Sequence, residues 1–367
     1  MILSQNNFHR FQEILRERKL KWTFLVPGPN FFYLTGIEMD PHERLTALII
    51  PSDDNPTIIC PAFEEPRLRK ATWINNFLSW EEHENPFSKV SNVINDFPKQ
   101  NIGIDGAVDL DKCLELKRCG VDLASVHSVS PLFRDLRIRK TDQELNIMRK
   151  AGEIVCNAVQ AGFENVSTGM SEMELRSIIE QRIYSDGGLP KHVLVQFGPS
   201  SSYPHQDTTD YQSKPGDVVL LDIVAKIHGY CSDITRMAVL GSSTDHHKKI
   251  HQLVFESQKT GLNTARVGIA ASKVDLKARK KMDEGNEKFS QFFTHRLGHG
   301  IGIEGHEPPY LVSGNGNDAP LEEGMTHTIE PGIYLKGKYG FRIEDTVAVG
   351  SKSIEILTNL SRELAEL

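Results

Sequence analysis

A chain of 367 residues, 39% hydrophobic and 25% charged, has room to bury a substantial core as two domains or as one large one. Its formal charge of −7 offers no electrostatic footprint for nucleic acid or an anionic membrane, and no stretch approaches the ~20 apolar residues of a membrane helix. Five cysteines, an odd number without C-x-x-C spacing, fit a reducing compartment, so a soluble cytoplasmic protein is expected.

Residues 1–20 alternate polar and apolar at helical spacing and lack the uninterrupted apolar core of a signal peptide. The short apolar runs Leu45–Ile50 and Thr57–Ile59 are bounded by Pro, Asp and Asn, as strands are. Glu64–Trp73 and Phe87–Phe97 carry helical periodicity, so the first part of the chain reads as a small α/β domain. Thr141-Asp-Gln-Glu144 is a capping-box pattern that opens a long amphipathic helix to about Gly162. The expected domains are therefore residues 1–130 and 131–367.

The second domain contains a degenerate internal repeat. Gly162 and Gly169 recur as Gly261 and Gly268 at a constant offset of 99 (261 − 162; 268 − 169). A helical segment follows each pair, Met170–Tyr184 in one half and Ala271–Met282 in the other. Each half then runs through a Gly/Pro/Ser-rich stretch to a histidine, His205 or His306. A glycine-led apolar strand comes next, Gly216-Asp-Val-Val-Leu-Leu-Asp222 or Gly324-Met-Thr-His-Thr-Ile-Glu330. A second strand closes each half, carrying Asp233 or Glu344.

Carboxylates inside apolar strands demand a charge partner. A turn centred between Ile227 and His228 sets Asp222 directly opposite Asp233, where Cβ atoms lie about 4.5–5.5 Å apart. Glu330 and Glu344 are likewise equidistant from Gly337. If the two halves pack face to face, four carboxylates converge, and two divalent cations would cancel their formal −4.

The run Thr294–Pro309 adds His295, His299 and His306. His299 and His306 are seven apart, so a regular strand points them to opposite faces, but Gly300, Gly302 and Gly305 permit bulges that re-aim one of them. On spacing alone either could be a ligand. The literal G-x-G-x-x-G from Gly300 to Gly305 is not a dinucleotide site, because Pro308-Pro309 blocks the helix that would hold a pyrophosphate. No H-E-x-x-H is present.

Four segments, Leu221–Arg236, Gly298–Pro308, Thr328–Tyr334 and Arg342–Thr346, resemble the signature blocks of the pita-bread metallopeptidases. That group includes methionine aminopeptidase, aminopeptidase P and Xaa-Pro dipeptidase (prolidase). Asn30–Gly36 with Glu43-Arg44 resembles the creatinase-type N-terminal domain of the proline-specific branch. The resemblance implies an α/β fold, a creatinase-type N-terminal domain followed by a pita-bread catalytic domain with a pseudo-twofold repeat. It makes Asp222, Asp233, His299, Glu330 and Glu344 the ligands of two divalent metals, and so settles the choice of histidine. Their oxygen-rich chemistry favours Mn²⁺ over Co²⁺, Fe²⁺ or Zn²⁺. His306 and His205 are implied at the substrate and the developing oxyanion, Glu330 as proton shuttle and Arg342 as a substrate contact. The implied partners are short proline-containing peptides and a second copy of the chain, with no nucleic acid and no membrane.

Three positions depart from the family pattern. Val224 stands where a glycine is usual, and Met237 where a threonine is usual. Pro309-Tyr310 occupies the place where many prolidases carry an arginine suited to a dipeptide carboxylate. Xaa-Pro hydrolysis is the expected reaction. A non-peptidase hydrolase or lyase on the same site, or a silent peptide-binding module, is the alternative.

Overall fold

A computed structural model describes residues 2–94, 101–284, 288–314 and 319–367. The chain divides into two compact units, Met1–Arg137 and Ile138–Leu367. No described helix is long and apolar enough to cross a membrane.

The first unit is a six-stranded mixed sheet. Its strands are β1 (Trp22–Leu25), β2 (Ala47–Pro51), β3 (Thr57–Pro61), β4 (Asn76–Trp80), β5 (Ile102–Ile104) and β6 (Val126–Ser128), in the order β4-β3-β2-β1-β5-β6. Helices α1 (Ile2–Glu17), α2 (Pro29–Thr35), α3 (Glu65–Ala71), α4 (Pro86–Val93), α5 (Leu110–Arg118) and α6 (Ser130–Arg137) complete it. The helix expected over 87–97 is thus α4, and residues 95–97 lie outside the described residues.

The Asn30–Gly36 block has a structural explanation. Pro29 opens α2, and Gly36 ends it in the left-handed conformation at φ 78°. Asn30 donates to Asp105 Oδ1 at 3.0 Å and accepts from Arg137 Nη1 at 2.8 Å. Phe133 stacks on Phe11, ring centroids 4.2 Å apart. These contacts tie α6 to the first unit, so the division falls after Arg137 and not at residue 130.

The second unit begins with α7 (Asp142–Asn165), capped by the Thr141–Glu144 capping box, then α8 (Glu172–Ser185), β7 (Leu189–Phe197), β8 (Val218–Ile227) and β9 (Tyr230–Val239). The second half repeats the plan with α9 (Asp245–Thr264), α10 (Ala271–Met282), β10 (Gly298–Gly300), β11 (Glu307–Leu311) and β12 (Thr326–Ile329). A small ribbon of β13 (Gly332–Leu335) and β14 (Tyr339–Arg342) leads into β15 (Glu344–Val349). The main sheet runs β11-β10-β12-β15-β9-β8-β7, with β16 (Ile354–Ile356) on β15 and β17 (Ala365–Glu366) on β9.

The halves use the same hydrogen bonds. Gly169 N–H donates to Ser213 O at 2.9 Å, as Gly268 N–H does to Leu321 O at 2.8 Å. Gly216 N–H donates to Leu240 O at 2.7 Å, as Gly324 N–H does to Val349 O at 2.8 Å. Gly162 and Gly261 explain their own recurrence by close approach. A Cβ on Gly162 would stand 2.6 Å from Leu221 Cδ1, and one on Gly261 would stand 2.8 Å from Ile329 Cγ2. Leu221 and Ile329 each immediately precede a carboxylate, Asp222 or Glu330. The helix of each half therefore presses on the strand that presents the acid.

The two halves do not face each other across a gap, as the sequence argument supposed. They join side by side in one sheet where β9 meets β15 antiparallel, Glu344 opposite Thr235 and Asp345 opposite Ile234. The seam is locked from behind by the buried Arg236–Asp345 pair at 2.7 Å, with Gln258, Thr358 and Arg362 also on the Asp345 carboxylate.

Candidate metal centre

The sheet register places the acids. His228 and Gly229 form a two-residue turn with φ of 47° and 84°, so Ile227 pairs with Tyr230. Asp222 then falls opposite Thr235, and Asp233 opposite Val224. The expected direct opposition of Asp222 and Asp233 is therefore wrong by two residues. A shift of two preserves the face, because side chains alternate with period two. Asp222, Thr235 and Glu344 form a row across β8, β9 and β15, and Asp233 shares their face one step along β9.

In the second hairpin β12 pairs with β15 about the Gly337 centre, Ile329 opposite Asp345. Glu330 lies just past the end of β12, and Glu344 opens β15.

His299 completes the cluster from β10. Its Nδ1 lies 3.1 Å from the carbonyl of Gly300, which can only accept, so Nδ1 carries the proton. The unprotonated Nε2 points at Glu330 Oε1 (3.3 Å) and Asp233 Oδ2 (3.9 Å). Ligand atoms of Asp233, His299 and Glu344 all lie within 4.8 Å of one another. Burial, reinforced by His306, holds the His299 imidazole down to about 3, in the neutral form that a metal takes.

Electrostatics divide the four acids. Burial works against the Asp222 charge, but the Arg342 guanidinium, 2.5 Å away, and His192 hold its carboxyl below the ordinary value. Burial and then the charges of Glu344 and Asp222 push Asp233 well above the carboxylate range. Burial and Glu344 do the same to Glu330, and burial and Asp222 raise Glu344 to about 8. Without a cation, the buried carboxyls oppose one another's ionisation, and the site cannot ionise fully. Asp233 Oδ1 and Glu344 Oε1 are moreover buried without a hydrogen-bond partner. Two orphaned oxygens, mutual repulsion and a neutral imidazole are the donor chemistry that divalent cations satisfy.

Arg342, expected at the substrate, is 1% exposed. Its guanidinium donates to Asp222 Oδ2, Tyr334 Oη, Thr235 Oγ1 and Pro204 O. The donors that would grip a substrate are engaged with the protein. His306 stands beside His299, ring centroids 3.8 Å apart, and His205 lies 6.5 Å from His295. Both imidazoles are exposed and make no hydrogen bond among the described residues. Burial, opposed in part by Asp222, keeps each below its ordinary value.

Sequence reasoning missed Thr235, which donates to Glu344 Oε2 at 2.7 Å. His295, singled out in the sequence without a ligand role, reaches Tyr334 Oη at 2.8 Å and lies 3.7 Å from Glu330 Oε2. The threonine had a signal: Asp233-Ile-Thr235 and Glu344-Asp-Thr346 repeat carboxylate-x-Thr in the two halves. Val224, the departure from glycine, is buried opposite Asp233 and places Cγ1 3.9 Å from where a Gly305 Cβ would be. Met237 packs in the core between the sheet and the second-half helices, on the same face of β9 as Asp233 and Thr235.

The sequence profile of metallopeptidase family M24 matches residues 146–351, and that of the creatinase/prolidase N-terminal domain matches residues 8–139. A Xaa-Pro dipeptidase of Lactobacillus delbrueckii subsp. lactis is 32% identical over 367 residues, covering 98% of this chain and 99% of its own. A prolidase from Thermococcus sibiricus superposes with a TM-score of 0.90 at 35% identity, covering 99% of each chain. An X-Pro aminopeptidase from Thermotoga maritima superposes with a TM-score of 0.86 at 26% identity, covering 98% of this chain and 99% of the other.

Proposed function

Because the chain belongs to metallopeptidase family M24, with a creatinase/prolidase N-terminal domain, we propose that it hydrolyses the Xaa-Pro bond of short peptides at a two-metal site. Asp222, Asp233, His299, Glu330 and Glu344 would hold the metals. The observation that carries this reading is the cluster of Asp233, His299 and Glu344, with Asp222 on the same sheet face, Glu330 Oε1 3.3 Å from His299 Nε2, and two carboxylate oxygens unpartnered. Four carboxylates and one imidazole suit Mn²⁺.

The divalent ions supply Lewis acidity and a nucleophile at neutral pH. The chain's own residues do the rest. Glu330, with Oε1 3.3 Å from His299 Nε2, takes the proton of the attacking water and passes it to the departing proline nitrogen. A proline nitrogen has no N–H, and protonation makes it a leaving group. His306 and His205, unengaged at the exposed edge of the cluster, donate to the oxygen that develops charge. Arg342, through its bond to Asp222, fixes a ligand and leaves the substrate alone.

We carry from the family resemblance a homodimer, for which light scattering is the test. A reducing, cytoplasmic setting fits five cysteines that form no disulfide with one another. The central test is hydrolysis of Ala-Pro after chelation and again after Mn²⁺ is restored. Activity that vanishes and returns supports the reading, and metal-loaded protein inert on both Ala-Pro and Ala-Pro-Ala overturns it.

A further inference from the structure

A positive charge near the cluster is left without work. Arg342 is engaged with Asp222, Arg279 with Asp275, and Lys140 with Glu307. Arg296 differs. It is exposed, and its guanidinium makes no hydrogen bond or ion pair among the described residues. It is not loose, because it lies over the Tyr310 ring, 4.5 Å from the centroid. Such stacking uses the face of the guanidinium and leaves its planar fork of N–H donors free.

Both partners are attached to the ligand strand. Tyr310 on β11 is the register partner of His299 on β10, and Arg296 lies three residues before His299. Tyr310 stands directly opposite His299, so its ring and the guanidinium stacked on it sit beside that histidine and its neighbour His306, where a substrate would meet them. A dipeptide cleaved there places its C-terminal carboxylate one residue beyond the scissile bond, and nothing among the engaged cations is free to receive it.

Resting on the Xaa-Pro reading, we infer that Arg296, braced on Tyr310, is the carboxylate-binding residue for a dipeptide's C-terminus. It takes the place of the arginine that many prolidases carry at the Tyr310 position, and it makes the chain a dipeptidase in preference to a cleaver of longer peptides. The carboxylate would receive two parallel N–H bonds from the fork, a geometry that lysine cannot reproduce.

The test compares Ala-Pro with Ala-Pro-NH2, which lacks the carboxylate, on metal-loaded wild type, Arg296→Met and Arg296→Lys. In kcat/KM, wild type should favour the acid by about ten- to hundredfold, Arg296→Met should bring the ratio near one, and Arg296→Lys should fall between. A wild-type ratio near one overturns the inference. So does a ratio that Arg296→Met leaves unmoved, which would pass the role to His192, the other basic group near His205 and His306.

Calorimetric binding of a reduced Ala-Pro analogue, with methylene in place of the scissile carbonyl, as acid and as amide, reads the same preference without turnover. Acid-selective binding that Arg296→Met abolishes, in a protein that cleaves neither peptide, would sustain the subsite while the hydrolytic reading fails. Cleavage with no Arg296-dependent selectivity would do the reverse.

Discussion

Thr235 donates its hydroxyl to Glu344 Oε2 at 2.7 Å across the seam between the two halves, and Thr235 Oγ1 in turn accepts from Arg342 Nε at 3.2 Å. Its counterpart Thr346 bonds the main chain of Asp233 instead, accepting from the N–H at 3.0 Å and donating to the carbonyl at 2.9 Å. Each half thus steadies the other half's acid, one through the side chain and one through the backbone. Thr235→Val keeps the shape and removes the hydroxyl, leaving Glu344 free to rotate. Metal affinity should fall about 10–100-fold, the usual cost of losing a partner of a ligand, and Thr235→Ser should restore most of it. Titration against a competing chelator measures this. Unchanged affinity in the valine variant would show that Glu344 is held by its burial alone.

The metal-free protein should lose stability as pH rises from 6.5 to 8. Glu344, at about 8 against an ordinary 4.5, stays protonated when folded and ionises when unfolded, so its contribution is complete below 4.5 and gone above 8. Asp233 and Glu330, also raised, act in the same direction. Buried His295 and His299, both down to about 3 from 6.5, act oppositely, but only below 6.5. Above that value the carboxyls titrate alone, each costing on the order of 1 kcal/mol per pH unit. Bound divalent metal replaces those protons, so its stabilisation should grow over the same window. Calorimetric melting of chelated and Mn²⁺-loaded protein at pH 6.5 and 8 checks both signs. A flat metal-free curve would mean that the acids are not coupled as described.

Local chemistry made much of this legible. The Thr141 capping box, the span of α10 and the paired glycines 162 and 261 are short-range signals, and the structure has each of them where it was read. Carboxylates in apolar strands are legible for a different reason: they are costly without a counter-charge, so their repetition marks a site. The register of the first hairpin was not legible, because a histidine at positive φ beside Gly229 carries no strong turn signal. The internal bonds of Arg342 were not legible because its acceptors, among them Asp222 and Pro204, lie far away in sequence and are brought to it only by the joined sheet. The contact of Arg296 with Tyr310 depends on the pairing of β10 with β11, which spacing alone leaves open.

Lys140 and Glu307 form a buried ion pair, Nζ to Oε1 2.7 Å, with side chains 1% and 5% exposed. Glu307 is bonded in the chain to His306, and a Cβ on Gly302 would come within 2.6 Å of its Oε1 and 2.8 Å of Lys140 Cε. Lys140→Met removes the ammonium that neutralises Glu307 and should cost about 3–5 kcal/mol of stability, the usual penalty for breaking a buried pair from one side. Removing both charges in Lys140→Met/Glu307→Leu should recover much of that loss, because both desolvation penalties disappear together. His306, no longer anchored through its neighbour, should still lower kcat in the double variant. Urea midpoints for the wild type, both single variants and the double give the coupling, and kcat on Ala-Pro gives the anchoring. Additive losses in the cycle would remove the pair's claim to hold the His306 segment by charge.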